Sequence, residues 1–219
     1  MREDSAEPST LPEGLSVGPD GRVRCSWVGG VPGFAHYHDT EWGFPVADER
    51  QLFEKICLEG FQAGLSWRTI LDKREAFREV FLGFDYEQVA RLGPTDVDRL
   101  LCDARIVRHR GKIEATIHNA RRACEAAEKH GSLGALIWRY EPPPVLRTPA
   151  LPYTPPAKTA ASARFAKDLK NLGWRFFGPT TAYAFMQAMG LINDHHPGCS
   201  SWQACEASRD RFLRPGSTP

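Results

Sequence analysis

Near the end of the chain, NDHHPGC (residues 193–199) sets two histidines and a cysteine within five positions. An imidazole and a thiolate four residues apart can share one metal ion, but zinc takes four such donors. A second pair stands at the other end: Cys25 in RCSWV and His38 in AHYHDTEWG. Two thiolates with two imidazoles make a closed tetrahedral site, structural in role. A link between segments so distant in sequence restricts the unfolded chain most. The spacing is not that of a zinc finger. It leaves His36 and His196 open as ligands, and it equally suits buried thiols beside hydrogen-bonded histidines.

Two further groups carry chemistry. Tyr37 and Trp42 lie in YHDTEWG, Glu59 and Trp67 lie in CLEGFQAGLSW, and Trp27 follows Cys25 by two residues. Large π-faces near one carboxylate suit a flat, electron-poor guest, because a cationic ring gains from the aromatic quadrupole. Packing in the core is the competing use for each of these residues. Gly64 and Leu65, just before Trp67, can present a small apolar wedge. The third group is basic: Arg105, Arg108, Arg110 and Lys112 fall within eight residues that contain no acid. A helix starting near Gly111 points amide groups and its positive dipole end at an anion, and a DNA phosphate is such an anion. A solvated charged turn between two core helices has the same composition.

The elements that must position these groups read as helices. Asp48 with Gln51 resembles a capping box before Leu52 and Ile56, and a second helix carries Trp67, Ile70, Leu71 and Phe77. Asp85 caps YEQVARLG, and Thr95 with Asp98 caps DVDRLLCDA. Residues 110–131 form a long helix with Ile113, Ile117, Ala120 and Cys124 on one face, closed by Gly131. Ser162 caps a helix ending at Gly173, and Gly178-Pro179 opens another that ends at Gly190. The proline-rich stretch 142–156 is a surface loop. No alternating strand and no internal repeat is visible, so the fold class is all-α. Residues 1–22 read as a disordered leader, and the tail after Cys205 as flexible.

The totals are those of a globular protein: 219 residues, 42% hydrophobic, 25% charged, net charge +1. No secretory signal or membrane span is present, which predicts a cytoplasmic protein with no membrane partner. Six cysteines in that setting read as thiols or metal ligands.

Five motifs in one order, RCSWV, YHDTEWG, LFEKICLEGFQAGLSW, IVRHRGKI and FMQAMGLINDHHPGC, closely resemble the DNA-3-methyladenine glycosylase I family of the helix-hairpin-helix superfamily. The match runs from Arg24 to about Cys199. The resemblance implies two helical lobes in a glycosylase domain over 23–205, with the helix-hairpin-helix near 96–130. It implies structural Zn2+ on Cys25, His38, His195 and Cys199, fastening the N- and C-terminal segments. Glu59 is then the residue that recognises a flipped base and acts in catalysis. Tyr37 and Trp67 hold and stack on that base, with Trp27 and Trp42 nearby. Arg108, Arg110, Gly111 and Lys112 bind DNA phosphate, and Gly64-Leu65 probes the gap left in the duplex.

The implied reaction is hydrolysis of the N-glycosidic bond of 3-methyladenine in alkylated double-stranded DNA, in base excision repair, by a monomer. N3-methylation makes the nucleoside cationic, so little catalytic push is needed. In keeping with that, no aspartate occurs between Asp103 and Asp168, where related glycosylases place one beyond the hairpin. Glu59 is therefore assigned to recognition and electrostatic stabilisation. Two positions depart from the family: Phe34 replaces a tyrosine, and Arg105 replaces a glycine, which predicts strain if the turn needs a positive φ. The rival readings are a non-catalytic lesion-recognising protein and a zinc-dependent hydrolase. The hydrolase needs an open metal position, and the H-x-E and P-C-x-x-C of the zinc deaminases are missing.

Overall fold

Residues 11–143 and 154–216 are described by the structure, a computed structural model. Residues 1–10 of the expected leader, most of the proline-rich loop and residues 217–219 lie outside them. The expected leader does not extend to residue 22. Leu15–Val17 (β1) pairs antiparallel with Val23–Cys25 (β2), Leu15 opposite Cys25 and Val17 opposite Val23. Three-residue strands are too short to show alternation, which is why the sequence hides them. A buried Arg24 guanidinium ties this hairpin down, reaching Asp20 at 2.6 Å and Asp39 at 2.7 Å.

Among the described residues eleven α-helices follow: α1 (Phe34–Thr40), α2 (Glu49–Gln62), α3 (Trp67–Asp72), α4 (Arg74–Val80), α5 (Tyr86–Val89), α6 (Pro94–Leu101), α7 (Arg110–His130), α8 (Leu133–Ile137), α9 (Ala160–Asn171), α10 (Pro179–Ala188) and α11 (Trp202–Arg211). The protein is thus mostly helical, as its periodicity predicts, with one small hairpin added. Asp48 accepts from the Gln51 amide at 2.9 Å and starts α2, whose residues from Leu52 to Phe61 are all buried. Asp85 starts α5 in the same way, and Gly131, at φ +86°, closes α7.

Several expected boundaries move. The helix over 67–77 breaks at Lys73, and Ser66 caps its first part by accepting from Thr69 N. Gly93 and Pro94 start α6, with Asp96 accepting from the Gly93 amide, in place of caps at Thr95 and Asp98. Thr159 and Ser162 cap α9 reciprocally, side chain to backbone, so Ser162 is the inner member of the pair.

A continuous cluster of buried side chains runs from Leu52 to Leu191 through α2, α7, α9 and α10. The expected division into two lobes is not marked by a gap in this core. Nor is the segment after Cys205 loose. Arg209 is fully buried in α11, Phe212 packs on Trp138 at 4.5 Å, and Arg214 pairs with Glu141 at 2.9 Å. No described helix is long and apolar enough to cross a membrane.

Gly190 holds the end of α10 against the chain entering α2. Its φ is +72°, and a Cβ there would overlap the Phe44 carbonyl carbon and the Pro45 nitrogen. Gly190→Ala therefore lowers stability by about 2 kcal/mol. A denaturant midpoint equal to wild type would show that this contact gives way freely.

Candidate active site

The four expected ligands converge. Cys25 ends β2, His38 sits in α1, and His195 and Cys199 follow α10; all four are buried, with ligand atoms within 4.8 Å of one another. His195 Nδ1 lies 3.1 Å from His38 Nε2, 3.6 Å from Cys199 Sγ and 3.8 Å from Cys25 Sγ, and Cys199 Sγ is 3.5 Å from His38 Nε2. Donors around a tetrahedral metal stand about 3.3–3.8 Å apart, near the four separations above, so the set can hold a metal ion.

The surroundings fit as well. Asp39 Oδ1 lies 2.8 Å from His38 Nδ1, and the Trp42 carbonyl lies 2.8 Å from His195 Nε2, which directs the other ring nitrogens inward. The amides of His196 and Ser201 donate to the two sulfurs at 3.4 Å. The two thiols also lie against each other. Their mutual hydrogen bond pushes Cys25 up and holds Cys199 down. His196 contributes its amide and not its ring to the cluster, which resolves the ambiguity left by spacing. His36 is outside it.

Beside this cluster opens a cleft of about 360 Å3, and Trp27, Tyr37, Trp42, Glu59 and Trp67 all line it. Trp27 and Trp42 meet edge to face at 5.1 Å, and Tyr37 and Trp67 lie 5.5 Å apart. Trp42 also packs on His195 at 4.7 Å, so the Cys/His cluster braces the cleft wall. Phe34 is buried against Trp27 and supplies no hydroxyl.

Glu59 is 5% exposed. Burial pushes its carboxyl up, and the charge and hydrogen bond of Lys55 pull it back. Burial, followed by the charges of Glu59 and Glu41, holds the Tyr37 phenol well above its usual range. Sequence reasoning missed several lining residues: Gln62, Gln187, Asp194 and, as part of the cleft, His196. It also missed Lys55, whose signal was its position one helical turn before Glu59. Asp194, held by Tyr183 and Gln187, is a second carboxylate in the cleft.

The basic turn between α6 and α7 differs from its sequence reading. His109 caps α7, accepting from the Lys112 amide at 3.2 Å. Lys112 turns inward, and its Nζ donates to the carbonyls of Phe61 at 2.9 Å and Ala63 at 2.6 Å. It thereby anchors the loop bearing Gly64 and Leu65, and is a structural tether, not an outward charge. Arg105 pairs with Glu79 and Asp103, and it is not among the residues of positive φ, so the expected strain is absent. The acids come from outside the eight-residue window, where local composition cannot show them. Arg110 pairs with Asp98 across exposed surface, a bond that screens and exchanges at little cost. Among the described residues Arg108 has no polar partner. Gly64, at φ +81°, lifts Leu65 outward to 39% exposure.

A flat heteroaromatic guest is what such a cleft takes, and an arginine-bearing turn nearby suits the nucleic acid that would deliver one. The class so defined is a helical protein that handles single nucleobases. The chain belongs to the methyladenine glycosylase family, whose model matches residues 27–202. It is 47% identical to DNA-3-methyladenine glycosylase 1 of Escherichia coli K12 over 178 residues, 80% of this chain and 95% of that protein. It is 46% identical to the DNA-3-methyladenine glycosylase of Haemophilus influenzae, over 81% of this chain and 96% of that one. The solved 3-methyladenine DNA glycosylase I of Staphylococcus aureus, which gave the structural basis of 3-methyladenine recognition, superposes with a TM-score of 0.74 at 36% identity, covering 82% of this chain and 96% of that one.

Proposed function

We propose that this chain excises 3-methyladenine from alkylated double-stranded DNA by hydrolysing the N-glycosidic bond, as a cytoplasmic, monomeric enzyme of base excision repair. The observation that carries the reading is a nearly buried carboxylate, Glu59, facing a cleft walled by Trp27, Tyr37, Trp42 and Trp67. The relatives named above act in the same sense.

A base inside the duplex is out of reach, so it leaves the stack, at a cost of about a few kcal/mol that damage reduces. The α6–turn–α7 unit serves as the helix-hairpin-helix, with Arg108, Arg110 and the Gly111 end of α7 on phosphate, and Leu65 fills the gap. In the cleft the aromatic faces stack on the cationic base, and Glu59 accepts from its amino group. Bond cleavage moves positive charge from base to sugar, and a carboxylate in low dielectric stabilises that cation more than water does.

Cys25, His38, His195 and Cys199 would hold zinc as a structural cross-link, and four protein donors would leave no position for water. That argues against the hydrolase reading. The chain's own residues do the rest: Trp42, braced on His195, keeps the wall of the cleft in place.

Incubating the protein with methylated duplex DNA and quantifying freed bases tests the reading. Free 3-methyladenine is expected, and its absence rejects enzymatic excision. In the same assay 7-methylguanine is released at least about 100-fold more slowly, since guanine turns a carbonyl, not an amino group, toward an acceptor carboxylate. Comparable release of both bases would refute recognition by Glu59.

A further inference from the structure

Glu59 shares its helix and its burial with a charge the reaction so far leaves unused. Lys55, one turn earlier on α2, is 4% exposed. Its Nζ lies 3.2 Å from Glu59 Oε1 and donates to the Tyr37 hydroxyl at 2.6 Å. It also stands 3.6 Å from the Trp67 ring centroid and 4.9 Å from that of Tyr37. Lys55 does not line the base cleft. It faces a second cavity of about 240 Å3 behind Tyr37 and Trp67, so it touches the three residues that meet the base without meeting the base itself.

We propose that Lys55 is a positioning residue for base excision, its ammonium holding Glu59 as an acceptor and Tyr37 as a donor toward the cleft. This deepens the glycosylase reading and rests on it. An ammonium has only donors, so the Tyr37 oxygen accepts from it and the phenolic hydrogen is left to point elsewhere. A carboxylate buried to this degree tends to protonate, and a cation at 3.2 Å opposes that. The cleft then offers one acceptor beside one donor. The amino group and ring N7 of adenine present the complementary pair, whereas the same edge of guanine carries two acceptors.

The other charges nearby do not replace Lys55. Arg74, on α4, is occupied by Glu41 and Glu54, at 2.6 Å and 2.5 Å. Arg78 pairs with Glu54 and Glu75. Across the cleft, Asp194 is bound by Tyr183 and Gln187, and the His196 ring accepts from the Gly198 amide. Among the described residues the ion pair to Glu59 comes from Lys55 alone. Burial pushes the Lys55 ammonium down while Glu59 pulls it up, and the carboxyl responds in the opposite sense.

The sign of the effect follows. Removing the cation raises the pH at which Glu59 ionises, so on acidification the activity that needs the carboxylate is lost at a higher pH than in wild type. The test is the pH profile of single-turnover 3-methyladenine release from methylated duplex DNA, with the melting temperature of each variant alongside. Lys55→Met moves the acid limb upward by about one pH unit or more, and Lys55→Arg, which keeps the charge, retains the wild-type limb. Glu59→Gln has no such limb. Should Lys55→Met fail to fold, Lys55→Gln, neutral but polar, makes the same test. Coincident limbs for wild type and the neutral variant overturn the role of Lys55 alone. No release by wild type overturns the glycosylase reading and this role together.

Discussion

Replacing Glu59 by glutamine slows single-turnover release of 3-methyladenine by about 100-fold or more while the protein stays folded. Glutamine keeps the size of the side chain and an oxygen that accepts hydrogen bonds, so the substitution isolates the charge. That charge matters because the bond electrons leave with the base and the sugar becomes the cation. A group that interacts more strongly with that state than with the bound nucleotide accelerates the step. Burial at 5% exposure keeps water from screening the interaction. The loss therefore falls on the rate at saturating enzyme more than on DNA affinity. The variant also leaves the Lys55 ammonium without its ion-pair partner, and that buried cation then sheds its proton more readily. A single-turnover rate within about tenfold of wild type would restrict Glu59 to recognition.

Cys199→Ala lowers zinc content and thermal stability together, the melting temperature by about 10 °C or more. Cys199 Sγ stands against both imidazoles, and its loss leaves three donors, with the Ser200 amide on the Val23 carbonyl still joining the two segments. The cluster connects residue 25 to residue 199, a closure that removes much freedom from the unfolded chain. Loss of the ion also loosens His195, on which Trp42 rests, so the cleft wall moves. Cys205→Ala is the control. Its sulfur is equally buried but stands outside the cluster, with the Trp42 carbonyl as partner, so this variant keeps its zinc. Metal analysis beside thermal melts decides the matter. Full zinc occupancy in Cys199→Ala would refute the four-donor assignment.

Much of the scaffold was legible because its signals are local. Asp48 and Asp85 cap helices by reaching an amide three residues on, and Gly131 ends α7 because only a left-handed turn continues there. Such bonds need nothing distant. The β-hairpin was invisible since three-residue strands carry too little pattern, and the tail was misread since Arg209 and Arg214 find partners near residue 141.

The ligand types at Cys25, His38, His195 and Cys199, and the aromatic and acidic residues of the cleft, were likewise written in the chain itself. Residue type sets which chemistry is available, and it needs no partner to be read. Which groups meet was decided by tertiary packing. Spacing left His195 and His196 equivalent, and only the fold brings His195 to the cluster and sets His196 along the cleft. Lys112 was a surface charge on paper, yet two carbonyls at the end of α2 draw it inside. Hydrogen bonds and ion pairs between residues tens of positions apart depend on where helices dock, and no local pattern carries that.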